Sequence, residues 1–212
     1  MKIKVKCPAS CGELIQGIIG DKEKLISLPI DIYSEIVLTE GKSCFLPLEK
    51  RKANKALFKA FEYFGIPSKY AQNLSLEIKS NIPVAKGMAS STADICGTIM
   101  AVAKLVGKKL SNKELAKLCC DIEPTDSTIF DKLTLFDHIN GNYIREFEWN
   151  PEISILVLEG KDILNTEDFR KIDYSDIRNK NKEITQKAYN YFLKACRKKD
   201  KKILGLAATL SS

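Results

Sequence analysis

The sequence predicts an α+β protein, and three observations support that class. Up to about residue 79, apolar and polar residues alternate with the period of two that half-buried strands show. From about Ser90 onwards, apolar residues recur at helical spacing. Strands and helices are mixed along the chain without the regular rhythm of βαβ units, which favours α+β over a parallel sheet.

The predicted strands begin at the amino terminus. Residues 3–7 place an apolar side chain at every second position, with lysines between them. Residues 25–39 form a longer apolar and β-branched stretch that Pro29 interrupts. Residues 74–78 alternate again and predict a third strand.

Three helices are predicted around and after these strands. Apolar residues at helical spacing predict a first helix over residues 57–64, which Gly65 ends. A second helix is predicted from about Ser90 to Gly107. Residues 111–114 read Ser-Asn-Lys-Glu, a capping box in which the serine and the glutamate each satisfy a free amide. This pattern predicts a third helix that runs to about residue 120.

Strands are predicted again in the last third of the chain, followed by helices. Asn140-Gly141 is typical of a hairpin turn between two of these strands. The predicted strands are residues 133–136, 142–147 and 153–158, and the predicted helices are residues 177–196 and 203–210.

Composition and charge limit the possible functions. Thirty-four basic and 27 acidic residues give a net charge of +7, spread along the chain. This charge favours anionic ligands in general and does not select nucleic acid. The interpretation as a nucleic-acid-binding module is therefore supported by net charge alone. The basic run at residues 197–202 predicts a helix end or turn, with a binding patch as the alternative. The apolar stretches are too short to cross a bilayer, and no export signal is visible. We therefore expect a cytoplasmic protein without a membrane or nucleic-acid partner.

The seven cysteines do not form the pattern of a disulfide framework or a zinc site. Their number is odd, no C-x-x-C occurs, and His138 is the single histidine. Reduced thiols are the expectation.

Residues 82–95 carry the clearest chemical signal. They read Ile-Pro-Val-Ala-Lys-Gly-Met-Ala-Ser-Ser-Thr-Ala-Asp-Ile and lie between a predicted strand and a predicted helix. Free amides and the dipole at a helix amino end favour an anion such as phosphate. The hydroxyls of Ser90, Ser91 and Thr92 suit phosphate oxygens or a hard cation. An ordinary capped helix after a glycine turn is the alternative.

Three motifs together resemble a known family. Pro83-x-x-x-Gly87-Met-Ala-Ser-Ser91-Thr-Ala93 resembles the phosphate loop of the GHMP kinases, which include galactokinase and the homoserine, mevalonate and phosphomevalonate kinases. Residues 7–17, Cys-Pro-Ala-Ser-Cys-Gly-Glu-Leu-Ile-Gln-Gly, are similar to that family's first motif. Residues 123–127 and 133–138 are similar to segments of its L-threonine kinase branch.

The resemblance implies a fold and a division into domains. The expected fold is GHMP kinase-like, with a ribosomal protein S5 domain 2-like amino-terminal part and an α/β carboxyl-terminal part. It places the ATP-binding domain in residues 1–150 and a partial carboxyl-terminal domain in residues 151–212. The family's glycine-rich third motif has no counterpart before Ser212, so we expect a truncated carboxyl-terminal part.

The resemblance also implies an activity. It predicts an ATP- and Mg²⁺-dependent kinase that converts the small molecule L-threonine to O-phospho-L-threonine, for the aminopropanol linker of cobalamin. One alternative is a GHMP kinase that acts on another small alcohol, such as homoserine. A second alternative is a shortened relative that binds nucleotide without turnover.

By the same resemblance, the loop holds the ATP phosphates and Ser91 coordinates Mg²⁺. Lys86 either adds a positive charge to that site or is solvated. Ala89 stands where the family usually has glycine, so the loop has either a negative φ there or backbone strain. The expected ATP-binding residues are Pro83, Val84, Ala85, Lys86, Gly87, Met88, Ala89, Ser90, Ser91 and Thr92.

Carboxylates complete the expected site. Glu123 and Asp126 lie three residues apart around Pro124, so their side chains are able to converge. We assign Glu123 to the metal, and Asp126 to orienting the acceptor hydroxyl and accepting its proton. Turn and cap roles are the alternative for this pair. An amino-acid acceptor brings an ammonium, for which Glu13 and Asp31 are the candidates, with surface charges as the alternative.

Overall fold

The fold is known from a computed structural model, which describes residues 1–41, 50–158 and 174–212. In these ranges one antiparallel sheet of five strands is accompanied by six α-helices. The predicted α+β class is therefore confirmed.

The sheet is built around its second strand. The strands are β1 (Lys2–Ile19), β2 (Lys22–Glu40), β3 (Leu74–Ser80), β4 (Thr134–Asp137) and β5 (Asn142–Glu146). β1 pairs with one side of β2 along its length. On the other side of β2, β3 pairs near its carboxyl end and β4 near its amino end, and β5 extends the sheet beyond β4. Five of the six predicted strands are thus confirmed.

β1 is irregular where it carries the first motif. Its register with β2 shifts at Pro8/Ala9, between Ser10 and Glu13, and again between Glu13 and Ile15. Pro29 lies in β2 opposite Ser10, within this irregular stretch. A proline is tolerated at a bulge because its missing amide breaks no regular ladder there. β2 therefore continues through the position where the sequence predicted an interruption.

The helices mostly follow the sequence predictions. They are α1 (Arg51–Phe64), α2 (Ser90–Leu105), α3 (Asn112–Cys120), α4 (Ser175–Lys180), α5 (Lys182–Lys198) and α6 (Lys201–Ser211). Gly65 ends α1 in the left-handed conformation, at φ +67°. Both hydrogen bonds of the predicted capping box at Ser111 are formed.

Two predictions in the last third were wrong. The single helix expected over residues 177–196 is divided at Asn181, whose carbonyl accepts bonds from the amide and the hydroxyl of Thr185. Residues 153–158 are not a strand. Leu156 and Leu158 are 85% and 87% exposed, and no strand of the described ranges pairs with them. An alternating pattern forms a strand only where a partner supplies backbone hydrogen bonds.

Two apolar cores hold these elements together. The larger lies between β1, β2 and β3 and the helices α1, α2 and α3, with Phe61, Ile36 and Ile99 fully buried. The smaller packs α5 and α6 against β1 and β4, and it joins Phe192 to Ile15. This second core contains residues from before and after residue 150. The predicted boundary between two domains at residue 150 therefore stays a prediction.

Two further observations concern the described ranges as a whole. No helix there combines the length and the apolar character that crossing a bilayer requires. The six cysteines that lie in them are free thiols, as the sequence predicted.

Candidate active site

The predicted phosphate-binding segment forms the loop between β3 and α2. We call residues 83–92 the phosphate loop, because that is the role the sequence predicts for them. The buried side chains of Ile82 and Met88 anchor the loop to the larger core. The carbonyl of Met88 accepts a 3.2 Å hydrogen bond from the amide of Ser10, in the irregular part of β1. Two motifs that are distant in sequence therefore meet.

The loop backbone has positive φ at every second residue from 85 to 89. The φ angles are +58° at Ala85, +69° at Gly87 and +59° at Ala89. Residues of alternating handedness turn successive amides towards one side, which forms an anion-binding concavity. Ala89 adopts a conformation that favours glycine, so the backbone is strained there.

The amides at the start of α2 are available to a ligand. The Ala93 amide bonds to the Ala89 carbonyl at 3.0 Å, and no side chain caps the helix. Among the described residues, none accepts a hydrogen bond from the amides of residues 87–92. Such amides and the helix dipole attract an anion.

Asp126 lies beside the first turn of α2. The hydroxyl of the buried Thr92 donates a 3.0 Å hydrogen bond to the Asp126 carboxylate. This contact brings the predicted proton acceptor to the end of the phosphate loop, which is the juxtaposition that the assigned roles need.

Backbone contacts hold the Asp126 segment in place. A short 3₁₀ turn begins at Ser127, which exchanges two hydrogen bonds with Ser27 of β2. The Ser27 amide donates to the Ser127 hydroxyl at 2.8 Å, and the Ser127 amide donates to the Ser27 hydroxyl at 3.0 Å. One residue earlier than Asp126, the Thr125 amide donates to the His138 carbonyl. Asp126 is therefore fixed from both sides.

Glu13 lies close enough to Asp126 for the charge of Asp126 to act on its carboxyl group. Glu13 is half-buried and lies opposite Ser27 in the β1–β2 register. Burial, then the charge of Asp126 and the hydrogen bond to it, raise the pKa of the Glu13 carboxyl to about 7. Of the two residues predicted for an ammonium, Glu13 thus lies at the carboxylate predicted to be catalytic.

Asp31, the other candidate, lines a different depression. It is exposed and belongs to a groove of about 710 Å³ that Tyr33 and Phe130 also line. Neither Glu13 nor Asp126 is among the described residues that line this groove.

Glu123 and Asp126 have different partners in the structure. The ammonium of Lys52 lies 2.6 Å from the buried Glu123 carboxylate. A similar pair links Lys50 to Asp94 at 2.5 Å, and the Ser34 hydroxyl donates to the same Asp94 carboxylate at 2.6 Å. The start of α1 is therefore tied to two buried carboxylates, and one of them, Asp94, lies two residues after the phosphate loop.

Lys50, Lys52 and Asp94 form ion pairs near the candidate site that the sequence analysis did not predict. The available signal was Asp94 itself, a charged residue within the apolar first half of α2. A charge in such a place needs a partner, because an unpaired buried carboxylate is costly. The sequence does not show which lysine supplies that partner.

The protein ligands available to a metal ion are few. Within the described part of the chain, no three His, Cys, Asp or Glu side chains form a group that could hold a metal ion by themselves. Ser91 is half-buried at the start of α2, and Glu123 is a buried carboxylate. A small donor set suits a cation that takes most of its ligands from phosphate oxygens and water.

Comparisons with known proteins place this site in context. Residues 51–132 match the family of GHMP kinases N-terminal domains. The chain is 41% identical to an L-threonine kinase of Citrobacter freundii, with 98% of this chain and 71% of the relative covered. It is also 41% identical to an L-threonine kinase of Salmonella typhimurium, with 98% of this chain and 68% of the relative covered. A crystal structure of homoserine kinase from Cytophaga hutchinsonii has a TM-score of 0.69 at 15% identity, with 98% of this chain and 71% of that chain covered.

Proposed function

The chain belongs to the GHMP kinase family, and from that premise we propose that it transfers the γ-phosphoryl group of ATP to the side-chain hydroxyl of L-threonine. ATP is the phosphoryl donor of this family of small-molecule kinases. The identity of 41% to two L-threonine kinases, over 98% of the chain, supports threonine as the acceptor.

One observation carries the proposal within the structure. The free amides of residues 87–92 and the Asp126 carboxylate are joined through Thr92. Phosphoryl transfer needs the phosphates held, their charge neutralised and the acceptor oxygen placed in line. An anion site that is linked directly to a carboxylate meets the first and the last of these needs.

The phosphate loop would hold the triphosphate through its backbone. The amides of residues 87–92 donate to phosphate oxygens, and the positive end of the α2 dipole adds to the attraction. Because the loop is anchored at Met88 and Ser10, its donors are positioned before the ligand arrives. Lys86 is half-buried in the loop and is proposed as a further phosphate contact.

Ser91 and Glu123 are the residues that would hold Mg²⁺. A hydroxyl and a carboxylate fit this cation, which keeps phosphate oxygens and water as its other ligands. When bound, Mg²⁺ neutralises charge on the phosphates. Glu123 would contribute the carboxylate that the Lys52 ammonium contacts at 2.6 Å.

Asp126 would act as the proton acceptor. The Thr92 hydrogen bond and the anchored backbone around Ser127 hold its carboxylate next to the phosphate loop. A hydroxyl bound there is aligned with the γ-phosphate, and its proton passes to Asp126 as the new oxygen–phosphorus bond forms. Glu13, whose carboxyl group is influenced by the charge of Asp126, is the proposed partner of the threonine ammonium.

The wider expectations are proposals that rest on the family resemblance. The product, O-phospho-L-threonine, would supply the aminopropanol linker of cobalamin in the cytoplasm. The ATP-binding domain would comprise residues 1–150, and residues 151–212 would belong to the carboxyl-terminal domain. Asp31 is kept as a second candidate for acceptor binding, because it lines a groove beside the first motif.

Incubation with labelled ATP and a panel of hydroxy compounds tests the activity. We expect kcat/KM for L-threonine to exceed that for L-homoserine by at least about tenfold, which corresponds to about 1.4 kcal/mol of discrimination. Equal use of L-homoserine would contradict L-threonine as the preferred acceptor. It would not contradict the proposed kinase activity. Binding of ATP without transfer to any compound would favour the nucleotide-binding alternative.

A further inference from the structure

Lys52 forms an ion pair with Glu123, the carboxylate that the proposed function assigns to Mg²⁺. The ammonium nitrogen of Lys52 lies 2.6 Å from Oε2 of Glu123. The Glu123 side chain is 7% exposed, whereas that of Lys52 is 30% exposed. A buried carboxylate needs a cation beside it, because an unpaired charge away from water is costly. In this structure Lys52 supplies that cation.

The neighbouring pair of Lys50 and Asp94 is held by more contacts. The Lys50 ammonium lies 2.5 Å from Oδ2 of Asp94, and the Ser34 hydroxyl donates to Oδ1 at 2.6 Å. Both oxygens of this almost fully buried carboxylate are therefore engaged inside the protein. The pair has the bonding of a structural contact. It also offers a matched comparison, because Lys50 lies two residues before Lys52.

The backbone that carries Glu123 is fixed. The Thr125 hydroxyl donates a 2.9 Å hydrogen bond to the Glu123 carbonyl, and the Glu123 amide donates to the last turn of α3 at 3.2 Å. Thr125 is followed by Asp126, which Thr92 joins to the phosphate loop. The ammonium of Lys52, by contrast, is carried on a flexible four-carbon stem. The movable member of the ion pair is therefore Lys52.

A divalent cation at Glu123 would meet the Lys52 ammonium at close range. Two positive charges beside one carboxylate repel each other, and the repulsion is strong where water is excluded. An ammonium is a point charge and holds a carboxylate with less geometric constraint than the two-pronged guanidinium of arginine. Because Lys52 is partly exposed, its ammonium can turn to water. The two cations are therefore expected to exclude each other at Glu123.

We propose that Lys52 competes with Mg²⁺ for the Glu123 carboxylate: its ammonium neutralises Glu123 while no metal is bound, and it moves away when Mg²⁺ enters with the nucleotide. This inference rests on the proposed function, which places Mg²⁺ at Ser91 and Glu123, and it adds control of metal entry to that site. Lys52 is a positioning residue, since it acts through Glu123. The exchange replaces one cation by another, so the carboxylate stays ionised throughout.

Binding of a non-hydrolysable ATP analogue to the full chain tests the competition without turnover. Its dissociation constant is measured in EDTA and in saturating Mg²⁺, and we call the first value divided by the second the magnesium enhancement. Lys52→Gln should raise the magnesium enhancement by about tenfold, because the competing ammonium is gone and the carboxylate remains. An unchanged or lowered enhancement would overturn the inference, since a purely structural ion pair affects both dissociation constants alike.

Three further variants assign the effect to this ion pair. Lys50→Gln makes the same change two residues earlier and should leave the magnesium enhancement as it is in the parent protein. Lys52→Arg should lower it, because a guanidinium holds a carboxylate by two hydrogen bonds. This variant also keeps the test decisive if Lys52→Gln fails to fold. When Glu123→Gln is already present, Lys52→Gln should have no effect. A rise in Lys50→Gln, in Lys52→Arg or in the Glu123→Gln background would overturn the assignment.

A structure with Mg²⁺ and the analogue distinguishes exchange of the two cations from coexistence. We expect the Lys52 ammonium to lie more than about 4 Å from the Glu123 carboxylate, beyond ion-pair distance. An ammonium that stays at Glu123 beside the metal would overturn this inference alone, and the kinase proposal would stand. Absence of nucleotide binding in EDTA and in Mg²⁺ alike would overturn the kinase proposal and this inference with it.

Discussion

The hydroxyl of Thr92 donates a 3.0 Å hydrogen bond to the Asp126 carboxylate. Thr92 belongs to the first turn of α2, and Asp126 immediately precedes a 3₁₀ turn that is fixed to β2. This one contact joins the loop that is proposed to hold phosphate with the group that is proposed to accept a proton. Substitutions in the phosphate loop should therefore affect nucleotide and metal binding, whereas substitution of Asp126 should affect phosphoryl transfer.

Replacing Asp126 should impair transfer and spare nucleotide binding. Asp126→Asn keeps the size and a hydrogen-bonding oxygen for Thr92 but removes the basic carboxylate. We expect turnover to fall by about two orders of magnitude with ATP affinity nearly unchanged. Steady-state kinetics and an ATP titration measure the two quantities, with the exposed Asp176→Asn as the control. Unchanged turnover would remove Asp126 from the mechanism.

Replacing Ser91 should change the metal requirement instead. Ser91→Ala removes the hydroxyl that is proposed to coordinate Mg²⁺, so half-maximal activity should need about tenfold more Mg²⁺. Ser90→Ala makes the same chemical change one residue earlier and should leave the Mg²⁺ dependence as it is. A normal Mg²⁺ dependence in Ser91→Ala would count against the assignment.

Backbone strain at Ala89 predicts a stabilising substitution. Ala89 has φ +59°, where glycine pays no steric cost, so Ala89→Gly should raise the free energy of unfolding by up to about 1 kcal/mol. Ala93→Gly, in the regular part of α2, should lower it by about 1 kcal/mol or more. Urea denaturation measures both changes. Equal destabilisation by the two glycines would show that Ala89 is not strained.

The reciprocal bonds between Ser27 and Ser127 predict a coupled pair. Ser127→Ala leaves the buried Ser27 amide without its acceptor, which should cost about 1–3 kcal/mol of unfolding free energy. Turnover should also fall, because Asp126 is the neighbouring residue. In a double-mutant cycle with Ser27→Ala, we expect a coupling energy of about 0.5–3 kcal/mol. If the two substitutions lowered the free energy of unfolding additively, the two hydroxyls would act independently.

Glu13 predicts a pH dependence of stability. Its pKa is raised from 4.5 to about 7 in the folded protein, so between these values the folded state binds more protons than the unfolded state. Stability from this group therefore falls as the pH rises through that window. Glu13→Gln removes the effect, so its stability relative to the parent protein should rise by about 1–3 kcal/mol from pH 4.5 to pH 8. If the stabilities of Glu13→Gln and of the parent protein changed with pH in parallel, the raised pKa of Glu13 would be contradicted.

Local signals account for the parts of the fold that were predicted correctly. The capping box at Ser111 and the glycine at the end of α1 act within a few residues, so the sequence shows them. The phosphate loop is also continuous in sequence, and its place between a strand and a helix was predicted from residues 74–95.

Contacts between distant segments were not predictable in the same way. Glu13 lies in the irregular part of β1, and the register shifts on both sides of it have no local signature in the sequence. The Ser27–Ser127 pair likewise depends on how the 3₁₀ turn meets β2. Residues 153–158 alternate like a strand, yet alternation does not reveal whether a partner strand exists. The role of Asp126 was inferred by resemblance, and its contact with Thr92 now supplies a geometric reason.

The structure of the chain bound to Mg²⁺ and a non-hydrolysable ATP analogue tests the central claim most directly. We predict that amides of residues 87–92 lie within about 3 Å of phosphate oxygens, with the Asp126 carboxylate beside the terminal phosphate. A triphosphate bound elsewhere, with those amides turned away from it, would contradict the account.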